Sequence, residues 1–240
     1  MLDIQPISTQ QIIAAAKLLH TGKAPACDKI SDELLKDLDK PGKAGVLQFL
    51  HGQINHMLRH KQIQKSTATG RMIVFNKANA TPKADQTRPI VSLSQIMRLI
   101  EALVLPSLHL AVQNPIHVSM NQVGFMKDCS TAMNLLRLTA AMKETKARKH
   151  KNHYCFFVDF KKAFDSVSHR ILLRIINGIP EIANNHRNII SLLLSSYWAS
   201  IDGKATIPIN TDVPQGSVIV IALTCSLFLS INCSLISTLT

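Results

Sequence analysis

Aromatic side chains are scarce, 5% of 240 residues with a single Trp, which argues against a broad platform for stacking bases. Carboxylates are short as well: 15 Asp plus Glu stand against 27 Lys plus Arg, a formal charge of +12. That excess favours a polyanionic partner, either nucleic acid or an acidic membrane surface. No C-x-x-C pair occurs among the five cysteines, Cys27, Cys129, Cys155, Cys225 and Cys233, and no secretory leader is read at the start. The thiols are therefore expected to be reduced and the chain intracellular, in nucleus or cytoplasm, rather than secreted. His51, His56 and His60 have no Cys or carboxylate beside them at ligand spacing. A solvated helix face accounts for them better than zinc does.

What is present suffices for a core. Hydrophobic residues make up 46% and charged residues 18%, a balance for one large folded domain or two subdomains. Periodicity and caps place a helix over 8–20, with Ser8 and Gln11 as a capping box and Gly22 as its stop. A short helix follows from Ser31 to Leu38, then one from Lys43 to His60 ending in Arg59, His60, Lys61 and Lys65. Arg71–Phe75 reads as a strand, 76–87 as a polar loop, and Arg88–Leu93 as a second strand with Pro89 near its beginning. Ser94 caps a long apolar helix to about Val112, with Pro106 as a potential kink. A helix from Ser130 to about Lys149 runs into KETKARKHKNH, five Lys or Arg with two His over eleven residues. That cationic end suits both the helix dipole and phosphate. Helices ending near Gly178 and over 185–196, and a Tyr197–Ile209 hairpin closed by Asp202-Gly203, complete the regular pattern.

The chain is organised around Tyr154–Val167, YCFFVDFKKAFDSV. The β-favouring run Tyr154 to Val158 reads as a buried strand that delivers Asp159 at its carboxyl end. Open sheets hold ligands at that edge. Asp165, six residues on, precedes the helical stripe Val167, Ile171, Leu172, Ile175 and Ile176, where capping or bonding to backbone N–H groups is its expected task. On these residues alone, a strand ended by a capping Asp is the plainer reading.

Phe157-x-Asp159 followed by Lys162-Ala163-Phe164-Asp165, with three further blocks in order, resembles the reverse transcriptase of LINE-type (non-LTR) retrotransposons. The other blocks are Lys23, Pro25 and Asp28 ahead of a capped helix, Gln122-x-Gly124-Phe125, and Val213-Pro214-Gln215-Gly216-Ser217. Ala26 stands where the family usually has Gly. The resemblance implies an α+β, right-hand polymerase fold of fingers and partial palm, with an incomplete antiparallel sheet. It divides the chain into an N-terminal helix (1–20), fingers (21–150), partial palm (151–217) and a divergent apolar tail (218–240). It implies an RNA template, a DNA primer and dNTPs as partners, with Mg²⁺ held by Asp159 and the Phe160 carbonyl. Lys77 and Arg88 would meet the triphosphate, for which a point charge and a planar fork are suited. The backbone at Lys162 and Ala163 would face it too, and Phe164 would lie under the sugar as a gate against ribonucleotides. Gln215 and Gly216 would border the nucleotide pocket, and Gln122, Gly124 and Phe125 the template. On charge alone, a solvated basic hairpin explains Lys77 and Arg88 equally.

The family's second metal-binding element, a Tyr-x-Asp-Asp hairpin, has no counterpart here. The last acidic residue is Asp212, and the final 28 residues contain no Asp or Glu. Nucleotidyl transfer with two metals needs carboxylates that bridge them. The expectation is thus a polymerase domain truncated within the palm, magnesium binding impaired, and inactive as it stands. The alternative is a basic nucleic-acid-binding remnant without catalysis. The uncharged tail VIVIALTCSLFLSINCSLISTLT is long enough to raise a membrane anchor, but its polar and β-branched content and the family pattern favour a palm segment. A frameshift or changed exon junction after residue 217 is a third origin for it.

Overall fold

The computed structural model describes residues 4–20, 22, 28–76, 87–114, 122–124, 126, 128–147, 154, 157, 167–201, 203, 205–209, 217 and 219. The chain opens with helix α1 (Thr9–Lys17), where the Ser8 hydroxyl accepts from Gln11 N–H and the Gln11 side chain accepts from Ser8 N–H. The expected capping box is formed. The stop is not Gly22: the helix closes at Leu18, whose N–H reaches the Ala15 and Ala16 carbonyls. Ending there lets the next residue, Leu19, enter the core. Ahead of α1, residues 4–8 are strapped down by two asparagines. Asn55 accepts from Ile7 N–H at 2.7 Å and donates to Ile7 O at 2.9 Å. Asn185 does the same for Gln5 at 2.7 and 3.3 Å. Each side chain imitates a strand neighbour, so backbone groups that no sheet reaches still find partners.

Helices α2 (Asp32–Lys36) and α3 (Ala44–His60) follow, close to their expected bounds. Ser31 caps α2 through Leu34 N–H, and α3 ends on Lys61 in the left-handed region. A short helix α4 (Lys65–Ala68) escaped the sequence reading, being a single turn without an apolar period. Strands β1 (Thr69–Asn76) and β2 (Thr87–Ser92) pair antiparallel, as expected, from Arg71↔Ser92 to Asn76↔Thr87. β3 (Trp198–Ile201) and β4 (Ala205–Pro208) form the second hairpin, with Gly203 at φ +70° in its turn. β1 also runs parallel to β3, which makes one sheet in the order β2-β1-β3-β4 from segments more than a hundred residues apart.

α5 (Gln95–Gln113) is the core's axis and continues through Pro106. Around it lie α1, α8 (Asn184–Ser196) and, beyond α8, α7 (His169–Asn177). α7 buries Leu172 and Ile176 of the expected stripe and α8 buries Ile189, Ile190 and Leu192 to Leu194. α6 (Thr131–Ala147) differs: it buries no residue among those described, and Leu135 and Leu136 are exposed. The buried strand expected at 154–158 is corrected where it can be read. Tyr154 and Phe157 lie outside any strand and are 76% and 85% exposed. A β-favouring run states only a preference, which becomes a strand where a neighbour pairs with it. Cys155, Phe156 and Val158 fall outside the described residues.

Buried polar groups on α5 are tied to distant elements. Asp28 accepts from Gln95 N–H at 2.7 Å at the helix start, and Ser94 caps it through Met97 N–H. Arg98, 6% exposed, reaches Asp32 at 3.3 Å and Gln95 Oε1 at 2.9 Å. Lower down, Ser107 meets His186 Nδ1 at 2.8 Å beside a groove of about 320 Å³ lined by Ile7, Ala15, Leu18, Ala102 and Leu103.

Two outcomes follow for stability. Asp32→Ala leaves the Arg98 guanidinium buried without its carboxylate and should cost about 3–5 kcal/mol, while Asp32→Leu with Arg98→Met should recover most of that loss; urea unfolding measures both. Burial holds the His186 imidazole below its ordinary pKa, so the unfolded chain binds the extra proton. Its contribution is intact above the unfolded pKa, about 6.5, and lost as pH falls through it towards the folded value. His186→Asn should therefore flatten the decline in melting temperature between about pH 7 and 5.

Candidate functional site

The first component is the outer half of the β1–β2 hairpin. At its root Gly70 packs against Val91 and Leu93 and is buried, whereas Ile73, Val74 and Phe75 on β1 and Ile90 on β2 are exposed. The hairpin therefore stands out from the core beyond Met72. Register sets the Arg88 backbone opposite Phe75, one pair inside Asn76↔Thr87. Lys77 comes directly after Asn76 and lies outside the described residues. The Arg88 backbone thus belongs to the projecting end of the sheet.

The second component is the exposed helix α6. Arg137, Lys143 and Lys146 lie on it, and it leads into the basic run that continues past Ala147. Just before it, Gln122 folds back so that its Nε2 donates to Gly124 O at 3.0 Å. Those two expected template residues are neighbours at the surface. Phe125 is outside the described residues.

The third component surrounds Ser217, the last residue of the Val213–Ser217 block. Ser217 is buried and Ile219 is fully buried. Tyr197, also buried, donates its hydroxyl to Glu101 Oε1 at 2.7 Å. Neither Glu101 nor Tyr197 was singled out from sequence. A lone Glu inside an apolar helix, and a Tyr between a helix and a Trp-led strand, were the only signals. Trp198 itself carries Lys65 Nζ over its ring at 4.0 Å, a cation–π contact.

Asp159, Phe160, Lys162, Ala163, Phe164, Gln215 and Gly216 lie outside the described residues, so no geometry joins them to these components. Among the described residues no three His, Cys, Asp or Glu side chains gather where a metal ion could be held. No helix there is long and apolar enough to cross a membrane.

Helices and a four-stranded sheet in one core make this an α+β protein. Residues 76–237 match the family described as reverse transcriptase (RNA-dependent DNA polymerase), and that is more than half of the chain. The chain belongs to that family. It is also similar to the probable RNA-directed DNA polymerase from transposon BS of Drosophila melanogaster, 26% identical over 225 residues. That match takes in 91% of this chain and 24% of the relative, so the chain spans about a quarter of the relative's length.

The hairpin root offers a direct test. A Cβ on Gly70 would sit 3.0 Å from Ser92 O and still closer to Val91 Cγ1. Gly70→Ala should destabilise by about 1–3 kcal/mol through overpacking. Gly52→Ala, at an α3 position with nothing within 4 Å, should be neutral or stabilising by about 0.5–1 kcal/mol. Thermal unfolding of the two variants separates these outcomes.

Proposed function

We propose that this chain is the fingers and partial palm of the reverse transcriptase domain of a non-LTR, LINE-type retroelement. In this reading residues 21–150 supply the fingers and 151–217 the palm. The projecting β1–β2 hairpin offers Lys77 and Arg88 to the incoming triphosphate, and α6 with its basic extension lies along the RNA template and DNA primer. Gln122, Gly124 and Phe125 contact the template. Lys162, Ala163, Gln215 and Gly216 line the nucleotide pocket, and Phe164 lies under the sugar. The family match over 76–237 is the observation that carries this reading. The exposed basic helix and the protruding hairpin support it.

The family works with divalent metal. Such ions neutralise charge on the attacking and leaving oxygens when two are bridged by carboxylates. The donor set within these 240 residues does not fit that need: Asp159 is the one carboxylate at a metal-binding position of the pattern, and no Asp-Asp pair follows it. We therefore derive no chemical step through Mg²⁺. These 240 residues by themselves are inferred to bind primer–template and to leave dNTPs unincorporated. That outcome coincides with the second reading, a non-catalytic nucleic-acid-binding remnant, which the exposed cationic face of α6 favours.

Primer extension on an RNA template with Mg²⁺ and dNTPs should yield no product. Incorporation that disappears in Asp159→Ala would overturn the inactive reading and leave the polymerase reading standing. Binding of the same primer–template should fall steeply with salt, and replacing Lys143 and Lys146 by Gln should reduce the log–log slope by about 1–2. A chain that does not bind nucleic acid at low salt contradicts both readings.

A further inference from the structure

The groove beside His186 is open because small side chains meet there. Ala14 and Ala15 of α1 and Ala102 of α5 line it, and a methyl group is too short to close the space between two helices. Its volume of about 320 Å³ is at the lower end of the range for small-molecule pockets. The lining is mostly apolar, and Leu18 within it is 42% exposed, surface that an occupant would take out of water. One hydrogen-bonding group enters this wall in a defined state. The Ser107 hydroxyl donates to Val104 O at 2.9 Å, so its single proton is spent within α5. In its contact with His186 Nδ1 at 2.8 Å, the nitrogen therefore carries the proton and the serine oxygen accepts it. A neutral imidazole protonated at Nδ1 keeps a lone pair on Nε2, and burial favours that neutral form. Nε2 has no protein partner among the described residues. Gln11 lines the groove too, but its Oε1 accepts from Ser8 N–H, which leaves Nε2 as the uncommitted side-chain acceptor of the wall.

We infer that this groove binds a small, neutral, apolar compound with one hydroxyl, a phenol or compact alcohol, whose O–H donates to His186 Nε2 while its hydrocarbon body covers Ala14, Ala15 and Leu18. Ser107 holds the imidazole in the tautomer that accepts. A carboxylate or phosphate is disfavoured by the same lone pair, since it brings acceptors against an acceptor. The site uses none of the residues assigned to nucleotide or template and does not depend on the polymerase reading.

Thymol, an apolar phenol, is the probe. Its methyl ether and cymene share nearly the same skeleton, and neither can donate. Calorimetry on the full 240-residue chain at about pH 8, where imidazole is neutral, should give thymol a Kd on the order of 0.1 mM. Each control should bind about five- to tenfold more weakly, the ratio for one lost hydrogen bond. His186→Phe, which keeps a ring but no acceptor, should bring thymol down to the controls. Ala14→Phe, at an exposed position of α1, should fill the groove and block all three. Nitrogen NMR of His186 should show the proton on Nδ1, with the Nε2 signal moving on addition of thymol and not of cymene. Equal affinity for thymol and its ether, or thymol affinity unchanged in Ala14→Phe, overturns the site. So does an unaltered chain that binds no thymol, or a proton found on Nε2. Self-association abolished by Ala14→Phe would put a second copy in the groove and overturn the small-molecule assignment. If His186→Phe does not fold, the ether comparison and the nitrogen spectrum, both on the unaltered chain, decide the matter.

Discussion

A helix buried along most of its length must find a partner for every polar group it carries inside, and α5 carries several. Its apolar residues, from Met97 through Leu108 to Ala111, give affinity for the core but little register. Apolar contact tolerates sliding, whereas a misplaced buried donor or acceptor costs about 1–3 kcal/mol. Ser94, Gln95, Arg98, Glu101 and Ser107 set the register instead. Ser94 donates to Thr67 O at 2.6 Å, Arg98 takes Asp32, Tyr197 takes Glu101 and His186 takes Ser107. A rotation of α5 by one residue would break all of these together, so the elements they come from are fixed by one helix.

The functional surfaces hang from that frame. β2 ends directly before Ser94, so the cap that starts α5 also orients the root of the projecting hairpin. Tyr197 starts the chain into β3, whose parallel ladder with β1 holds the same root from the other side. The root of the hairpin and β3 are therefore held at one junction, although more than a hundred residues separate β2 from β3. α6 lies outside this set: it buries nothing among the described residues, as suits a helix whose cations face outward.

What could be read from the sequence was local. Ser8 with Gln11, Ser31 and Ser94 declare themselves within four residues, and each marks the start that was expected; a turn was also expected at Gly203, although the Ile201↔Ala205 pairing leaves three residues in it rather than two. Helix stripes such as Leu172 and Ile176 were equally legible, because a period of 3.6 is a property of one element. Pairings across distance were not. Nothing near Thr69 announces Trp198 as its parallel partner, and nothing near Asn55 announces Ile7. The expected strand at Tyr154–Val158 failed at Tyr154 and Phe157 for the converse reason: β-favouring residues state a preference that only a neighbouring strand can satisfy. Of the site, the ordered blocks were visible while the buried Glu101–Tyr197 pair was hidden, since a buried carboxyl looks like any other Glu until its partner is known.

The charge balance acquires a physical meaning once the carboxylates are placed. Asp28 caps α5, Asp32 neutralises Arg98, Glu33 accepts from Gly22 N–H, and Glu101 accepts from Tyr197. Asp37 and Asp39 pair with Lys40 and Lys17 at the surface, where such pairs contribute about 0–1 kcal/mol. Most acidic groups among the described residues are thus occupied in holding helices, and they cluster in the first forty residues and along α5. On α6, Arg137, Lys143 and Lys146 are exposed, and Glu144 is the one acidic residue of that helix. Acids among the described residues are thus drawn into the frame while these cations stand at the surface. Electrostatic attraction of a polyanion to such a helix needs no preformed pocket.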